Sequence, residues 1–236
     1  MDAPLTLFVD EMLSDTLETR LREQDFDPAR EINECGQAWI DRSQIKACRA
    51  YDQARKDRAP GKTLGRLRGR CWERKFVRDL CVGRYVADAS GQLVRRQVPA
   101  GTRALPGIDV RNQVRVQRYD RRSSVADVIL NPHGRAIAYE YKSVYAPHYV
   151  NGGQLNRDLL RELIAGHVRQ VRRQIRLTRA RGAVNYLPRS VRLVYRLDGL
   201  GRVPPAVRAQ MRAFIIRTAE AANIPAQMLS FSGDGP

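Results

Sequence analysis

Hydrophobic positions in this chain switch repeatedly between a three-to-four-residue period and a two-residue period, the marks of amphipathic helices and half-buried strands. Leu7, Phe8, Met12, Leu13, Leu17 and Leu21 predict a helix over residues 5–24. Asp27-Pro28 fits an N-cap followed by a first-turn proline, opening a second helix to about Gly36. A third helix is expected from about Ser43 to Lys56, and Ala59-Pro60-Gly61 then breaks the pattern. That break divides a helical N-terminal segment, residues 1–60, from a body of residues 61–236.

The body opens with a helix from about Thr63 to Leu80. Arg84–Ala87 and Gln92–Val94 then flank an Asp-Ala-Ser-Gly turn, a hairpin signal. After a Pro/Gly loop, Pro99–Gly107, three strands are predicted at Val114–Tyr119, Ser124–Leu130 and Arg135–Val144. The last two are joined by the turn Asn131-Pro-His133-Gly134. A long helix follows from about Leu155 to Arg179. One face carries Leu159, Leu160, Leu163, Ile164, Val168, Val171 and Ile175; the other carries Arg157, Arg161, Arg169, Arg172, Arg173 and Arg176. A strand at Ser190–Leu197, a helix at Pro205–Ala222 and a short strand at Met228–Phe231 complete the chain. The order predicts a mixed α/β fold, a central sheet flanked by helices, with an N-terminal helical extension.

Charge sharpens this picture. The formal net charge is +17, and its sign changes along the chain. Residues 1–60 hold 9 Lys/Arg against 13 Asp/Glu, whereas residues 61–236 hold 33 against 12. A body so basic attracts polyanions, and DNA or RNA is the commonest. No helix pairs a basic face with a clean Trp/Phe/Leu face, so a membrane is not the expected partner. No apolar run approaches the roughly 20 residues that span a bilayer, and the first residues lack the basic and apolar regions of a signal peptide. The expected location is the cytoplasm, or a target cell reached by an export route without a cleaved signal. Cys35, Cys48, Cys71 and Cys81 form no C-x-x-C pair, which argues against zinc. Free buried thiols are the default in a reducing compartment, and two disulfides are the alternative in an oxidising one.

The chemistry concentrates in Ser124-Val-Ala-Asp127 and Arg135-Ala-Ile-Ala-Tyr-Glu140-Tyr-Lys142-Ser143. Strand alternation puts Ala136, Ala138, Glu140 and Lys142 on one face. An antiparallel hairpin sets Asp127 beside Glu140. Two carboxylates supply the hard oxygen ligands that Mg²⁺ or Mn²⁺ takes. A lysine ammonium beside them can orient a water or stabilise the transition state. The chain has 37 Arg and only 5 Lys, so lysine here reads as chosen for its chemistry. An acid two residues before a lysine occurs twice; the other case, Glu73-Arg74-Lys75, lies in a helical pattern and reads as surface charge.

On Asp127, Glu140-Tyr-Lys142 and the helix–strands–helix–strand order, the chain resembles the PD-(D/E)XK nuclease superfamily, over roughly residues 63–200. Ala126 stands where that superfamily has proline in its first motif. The resemblance implies a restriction-endonuclease-like fold and metal-dependent hydrolysis of phosphodiesters, with DNA favoured over RNA. It implies Asp127, Glu140 and Lys142 as catalytic residues, with Asp127 and Glu140 on the metal. It adds Glu73, on the helix before the sheet, as a further metal ligand. Gln170 and Gln174, with Arg169 and Arg173 beside them, would face nucleic acid. The basic body and acidic leader suit an antibacterial toxin nuclease held in check by an acidic immunity protein. A repair, restriction or phage-type nuclease and a non-catalytic nucleic-acid-binding protein are the alternatives.

Overall fold

The structure, a computed structural model, describes residues 33–117, 123–130, 136–179 and 190–232. The helix expected over residues 5–24, the Asp27-Pro28 cap and the 131–134 turn lie outside them. Asn33–Pro236 belong to one compact unit.

Asn33 to Gly36 form a turn, not the end of a helix. Helix α1 (Gln37–Lys56) follows, starting six residues before the expected point, and α2 (Gly61–Cys81) comes next. Pro60 stops α1 from running into α2, because a proline ring disfavours helical backbone in the residue before it. Hairpin β1 (Tyr85–Ala87) and β2 (Leu93–Arg95) follows, then β3 (Val110–Gln117), β4 (Ser123–Leu130) and β5 (Ile137–Tyr145). A small hairpin, β6 (Val150–Asn151) and β7 (Gln154–Leu155), leads into α3 (Arg157–Arg179). Asn156 caps α3, its side-chain oxygen accepting the Leu159 N–H at 3.1 Å. β8 (Ser190–Asp198), α4 (Pro205–Ala221) and β9 (Leu229–Ser232) finish the fold.

The central sheet has five strands in the order β3-β4-β5-β8-β9. β3, β4 and β5 are antiparallel neighbours, while β5, β8 and β9 run parallel. The parallel half follows from chain connectivity: α3 and α4 each carry the chain back across the sheet, the crossover that parallel pairing requires. The mixed α/β layout expected from the sequence is therefore the observed one.

Two apolar layers sandwich the sheet. On one face Leu160, Ile164, Val168 and Val171 of α3 pack with Ala138, Leu193, Met211 and Ile215. On the other, Phe76, Val77 and Leu80 of α2 pack with Val128, Tyr139, Tyr141 and Val194. Each fully buried aliphatic side chain contributes about 1.5–3 kcal/mol, so the α3 stripe is a principal anchor of its helix. Leu159, expected in that stripe, is 37% exposed because it lies one residue, about 100° around the helix, from the fully buried Leu160.

All four cysteines are paired, Cys35 with Cys81 and Cys48 with Cys71, contrary to the free thiols expected by default. The sequence signal for free thiols was the inferred compartment, which is no property of the residues. What brings the sulfurs together is the packing of α1 and its preceding turn along α2.

Candidate functional site

Glu140 and Lys142 lie on β5 two residues apart, and alternation turns both toward α3. Neighbouring Tyr139 and Tyr141 point the other way into the α2 layer, where Tyr141 stacks on Phe76 with ring centroids 4.8 Å apart. Asp127 is on β4. The β4–β5 pairing runs from Leu130↔Ile137 through Val128↔Tyr139, so Asp127 falls at the next step, opposite Glu140. There the Asp127 carboxylate takes the place of a backbone partner: its Oδ2 accepts the Tyr141 N–H at 3.0 Å.

Lys142 joins the two acids. Its Nζ donates to Asp127 Oδ2 at 3.1 Å and to Glu140 Oε2 at 2.9 Å. The side chain of Glu140 is fully buried, while Asp127 and Lys142 retain 14% and 15% exposure. Only the outer members of the cluster can therefore meet a substrate directly. Gln174 of α3, itself 1% exposed, donates through Nε2 to Glu140 Oε1.

The electrostatics follow from burial. Glu140 is pushed up to about 7, first by desolvation and then by the Asp127 charge and a hydrogen bond between the two carboxyl groups, with Lys142 opposing. Burial alone would lower Lys142, but the charges of Glu140 and Asp127 outweigh it and hold the ammonium above its ordinary range. His167 of α3 sits behind Lys142, its Nδ1 3.1 Å from the Tyr195 hydroxyl. Burial, with Lys142 assisting, pulls His167 down to about 3, so this imidazole is neutral at physiological pH.

The remaining predicted residues divide. Glu73 approaches the site through an intermediary: Asn112 of β3 donates to Glu73 Oε1 at 2.6 Å and to the Asp127 carbonyl at 2.9 Å. Among the described residues no three His, Cys, Asp or Glu side chains converge as a ready metal cage. Gln174 is inside the cluster, Gln170 is half-buried one turn away, and Arg169 and Arg173 are exposed on α3. Glu73-Arg74-Lys75, read as surface charge, is half-buried. Arg74 pairs with Glu34 at 3.0 Å, and Lys75 lies over Trp72. Asn112 escaped the sequence reading. The signal was there, because asparagine is disfavoured within strands and its presence in β3 asks for a reason.

No family model, curated protein or solved structure matches the chain. Among the described residues no helix is long and apolar enough to cross a membrane.

The donor chemistry fits a hard divalent cation. Two carboxylates share one ammonium, and burial first, with the Asp127 charge second, pushes Glu140 up to about 7. A site of that kind gains by recruiting a cation beside Asp127, its more exposed acid. Substrate oxygens and water would complete the shell that two carboxylates leave open.

Proposed function

We propose that this chain is a divalent-metal-dependent nuclease with a restriction-endonuclease-like fold, hydrolysing phosphodiester bonds, with DNA as its substrate. One observation carries the reading: Asp127, Glu140 and Lys142 meet in a single hydrogen-bonded cluster across adjacent strands, with Glu140 fully buried. Asp127 and Glu140 are the residues that would hold the cation. When bound, Mg²⁺ or Mn²⁺ supplies Lewis acidity toward the phosphate and acidifies the attacking water.

The chain's own residues do the rest. Gln174 fixes the Glu140 carboxylate by donating to Oε1, and the Tyr141 N–H fixes that of Asp127. Asn112 ties the Asp127 backbone to α2 through Glu73. Lys142, partly exposed, orients the water and meets negative charge as it develops on phosphate oxygens. The exposed arginines of α3, Arg169 and Arg173 among them, supply backbone-phosphate contacts, consistent with the chain's formal charge of +17. The same charge supports an acidic immunity protein as a partner of a toxin nuclease.

A second reading has its own observation. Lys142 bridges the two acids from within, as a structural ion triad does, and this favours a non-catalytic nucleic-acid-binding protein. Cleavage of plasmid DNA and of RNA, assayed in Mg²⁺, Mn²⁺ and EDTA, separates the two. The nuclease reading expects metal-dependent cleavage, lowered about 10²–10³-fold by Glu140→Gln and by Lys142→Ala. Binding that persists in EDTA with no cleavage in either metal establishes the second reading and ends the first.

A further inference from the structure

A cavity in the fold lies away from the carboxylate cluster. It holds about 500 Å³ and lies between α1, α2 and the C-terminal ends of β5 and β8. That volume falls in the range of small-ligand sites. Its placement beyond the carboxyl ends of two parallel strands is where open α/β sheets receive ligands.

Its chemistry is cationic. Arg55, Arg68, Lys75 and Arg202 line it, against the two carboxylates of Asp52 and Asp198. Asp198 is already engaged, accepting the Trp72 indole N–H at 3.2 Å. The cations are held by aromatic rings. Lys75 Nζ sits 3.9 Å from the Trp72 ring centroid, the Arg68 guanidinium 4.7 Å from that of Tyr145, and Arg202 donates to the Tyr145 hydroxyl at 3.2 Å. Neither Lys75 nor Arg68 has an ion-pair partner among the described residues, and the Arg68 Nε–H is buried without an acceptor there. Half-buried cations without a carboxylate partner cost free energy that an incoming anion recovers. Burial, with Arg196 nearby, accordingly lowers Lys75 below the ordinary lysine range.

The cavity is also built to keep its shape. The Cys48–Cys71 disulfide ties its α1 wall to its α2 wall. Gly199 has a left-handed backbone, and a Cβ there would come within 2.6 Å of the Tyr145 ring. The loop after β8 therefore closes down on Tyr145 only because residue 199 is glycine.

We propose that this cavity is a binding site for a phosphate monoester or diphosphate group. The excess of two positive charges among its lining groups matches a phosphate dianion, and guanidinium forks suit phosphate oxygens. Recognition of a nucleobase is disfavoured, because the Trp72 ring already carries Lys75 and, at 3.5 Å, Arg196. The phosphate has two sources, a free nucleotide or the terminal phosphate of a nucleic-acid strand. The proposal does not rest on the nuclease reading.

Trp72 reports the site directly. In a Trp39→Phe background it is the sole indole, and its fluorescence can be followed in EDTA. The titrants are inorganic pyrophosphate, a nucleoside 5′-monophosphate, and one oligonucleotide with and without a 5′-phosphate. Saturable binding of pyrophosphate is expected, weakened about 10–100-fold by Lys75→Met and by Arg68→Met, the loss typical of a charge-assisted contact. Lys62→Met, at the exposed start of α2, should leave it unchanged. Tight binding of the mononucleotide identifies a free nucleotide as the source. A preference for the phosphorylated oligonucleotide identifies a strand end. Far-UV circular dichroism checks that each variant is folded, and Arg68→Met serves if Lys75→Met is not. Absence of saturation by pyrophosphate at millimolar concentration overturns the proposal, as does equal weakening by Lys62→Met.

Discussion

Replacing Lys142 by methionine keeps an unbranched side chain, one atom shorter, and removes the one ammonium that two carboxylates share. The consequence depends on pH in a way the burial of Glu140 dictates. In the intact protein Glu140 titrates at about 7, against an ordinary value of 4.5. Without Lys142 its folded-state pKa must rise further, since the opposing attraction is gone and desolvation and Asp127 remain. Below pH 7 Glu140 is mostly protonated in both proteins, so the added cost is confined to the lost Lys142–Asp127 contact, about 1 kcal/mol for a partly exposed pair. Above pH 7 the intact protein ionises Glu140 and the variant does not, while both unfolded chains carry a carboxylate. The unfolded state of the variant therefore binds fewer protons than its native state, and its stability falls relative to the intact protein by up to about 1.4 kcal/mol per pH unit. Two units, from pH 7 to 9, open a further gap of about 3 kcal/mol, within the range for breaking a buried ion pair. Urea unfolding in EDTA, followed by circular dichroism from pH 6 to 9, measures it. The double variant Glu140→Gln/Lys142→Met should show no growing gap, because the group that titrates is gone. A gap that stays constant across pH, or a double variant that tracks the single one, refutes the account of Glu140 as a buried acid held ionised by Lys142.

Three further outcomes are expected. His167, pulled down to about 3 by burial and then by Lys142, stays neutral in the folded chain while the unfolded imidazole protonates below its ordinary 6.5. Stability is then fully present above pH 6.5 and is lost toward pH 3, by at most about 1.4 kcal/mol per unit. His167→Gln should flatten this acid limb in thermal melts between pH 6.5 and 4. The Cys35–Cys81 and Cys48–Cys71 cross-links span 46 and 23 residues. Loop entropy then assigns about 4 kcal/mol to the outer one and about 3 to the inner, not additive because the loops are nested. Paired Cys→Ala variants compared by urea midpoint test the order, and thiol titration of the denatured chain should find none free. Gly199→Ala combines a left-handed φ of 72° with a 2.6 Å approach to Tyr145, and should cost about 1–3 kcal/mol by chemical denaturation.

Periodicity alone determined most of the described architecture. The two-residue alternation of Ala136, Ala138, Glu140 and Lys142 fixed a shared face before any pairing was known. The apolar stripe of α3 likewise fixed which side of that helix meets the sheet. These are local properties, set by 2.0- and 3.6-residue repeats that any chain must obey. Contacts between distant segments are a different matter, since no repeat encodes them. Only the fold decided that Gln174 is buried against Glu140 while its neighbour Arg173 is exposed, or that Glu73 reaches the cluster through Asn112. The same holds for the four cysteines, whose pairing needs α1 laid along α2, and for the cationic cavity. Its groups come from α1, α2, β5 and the chain after β8, regions up to about 150 residues apart that share no pattern until they are packed together.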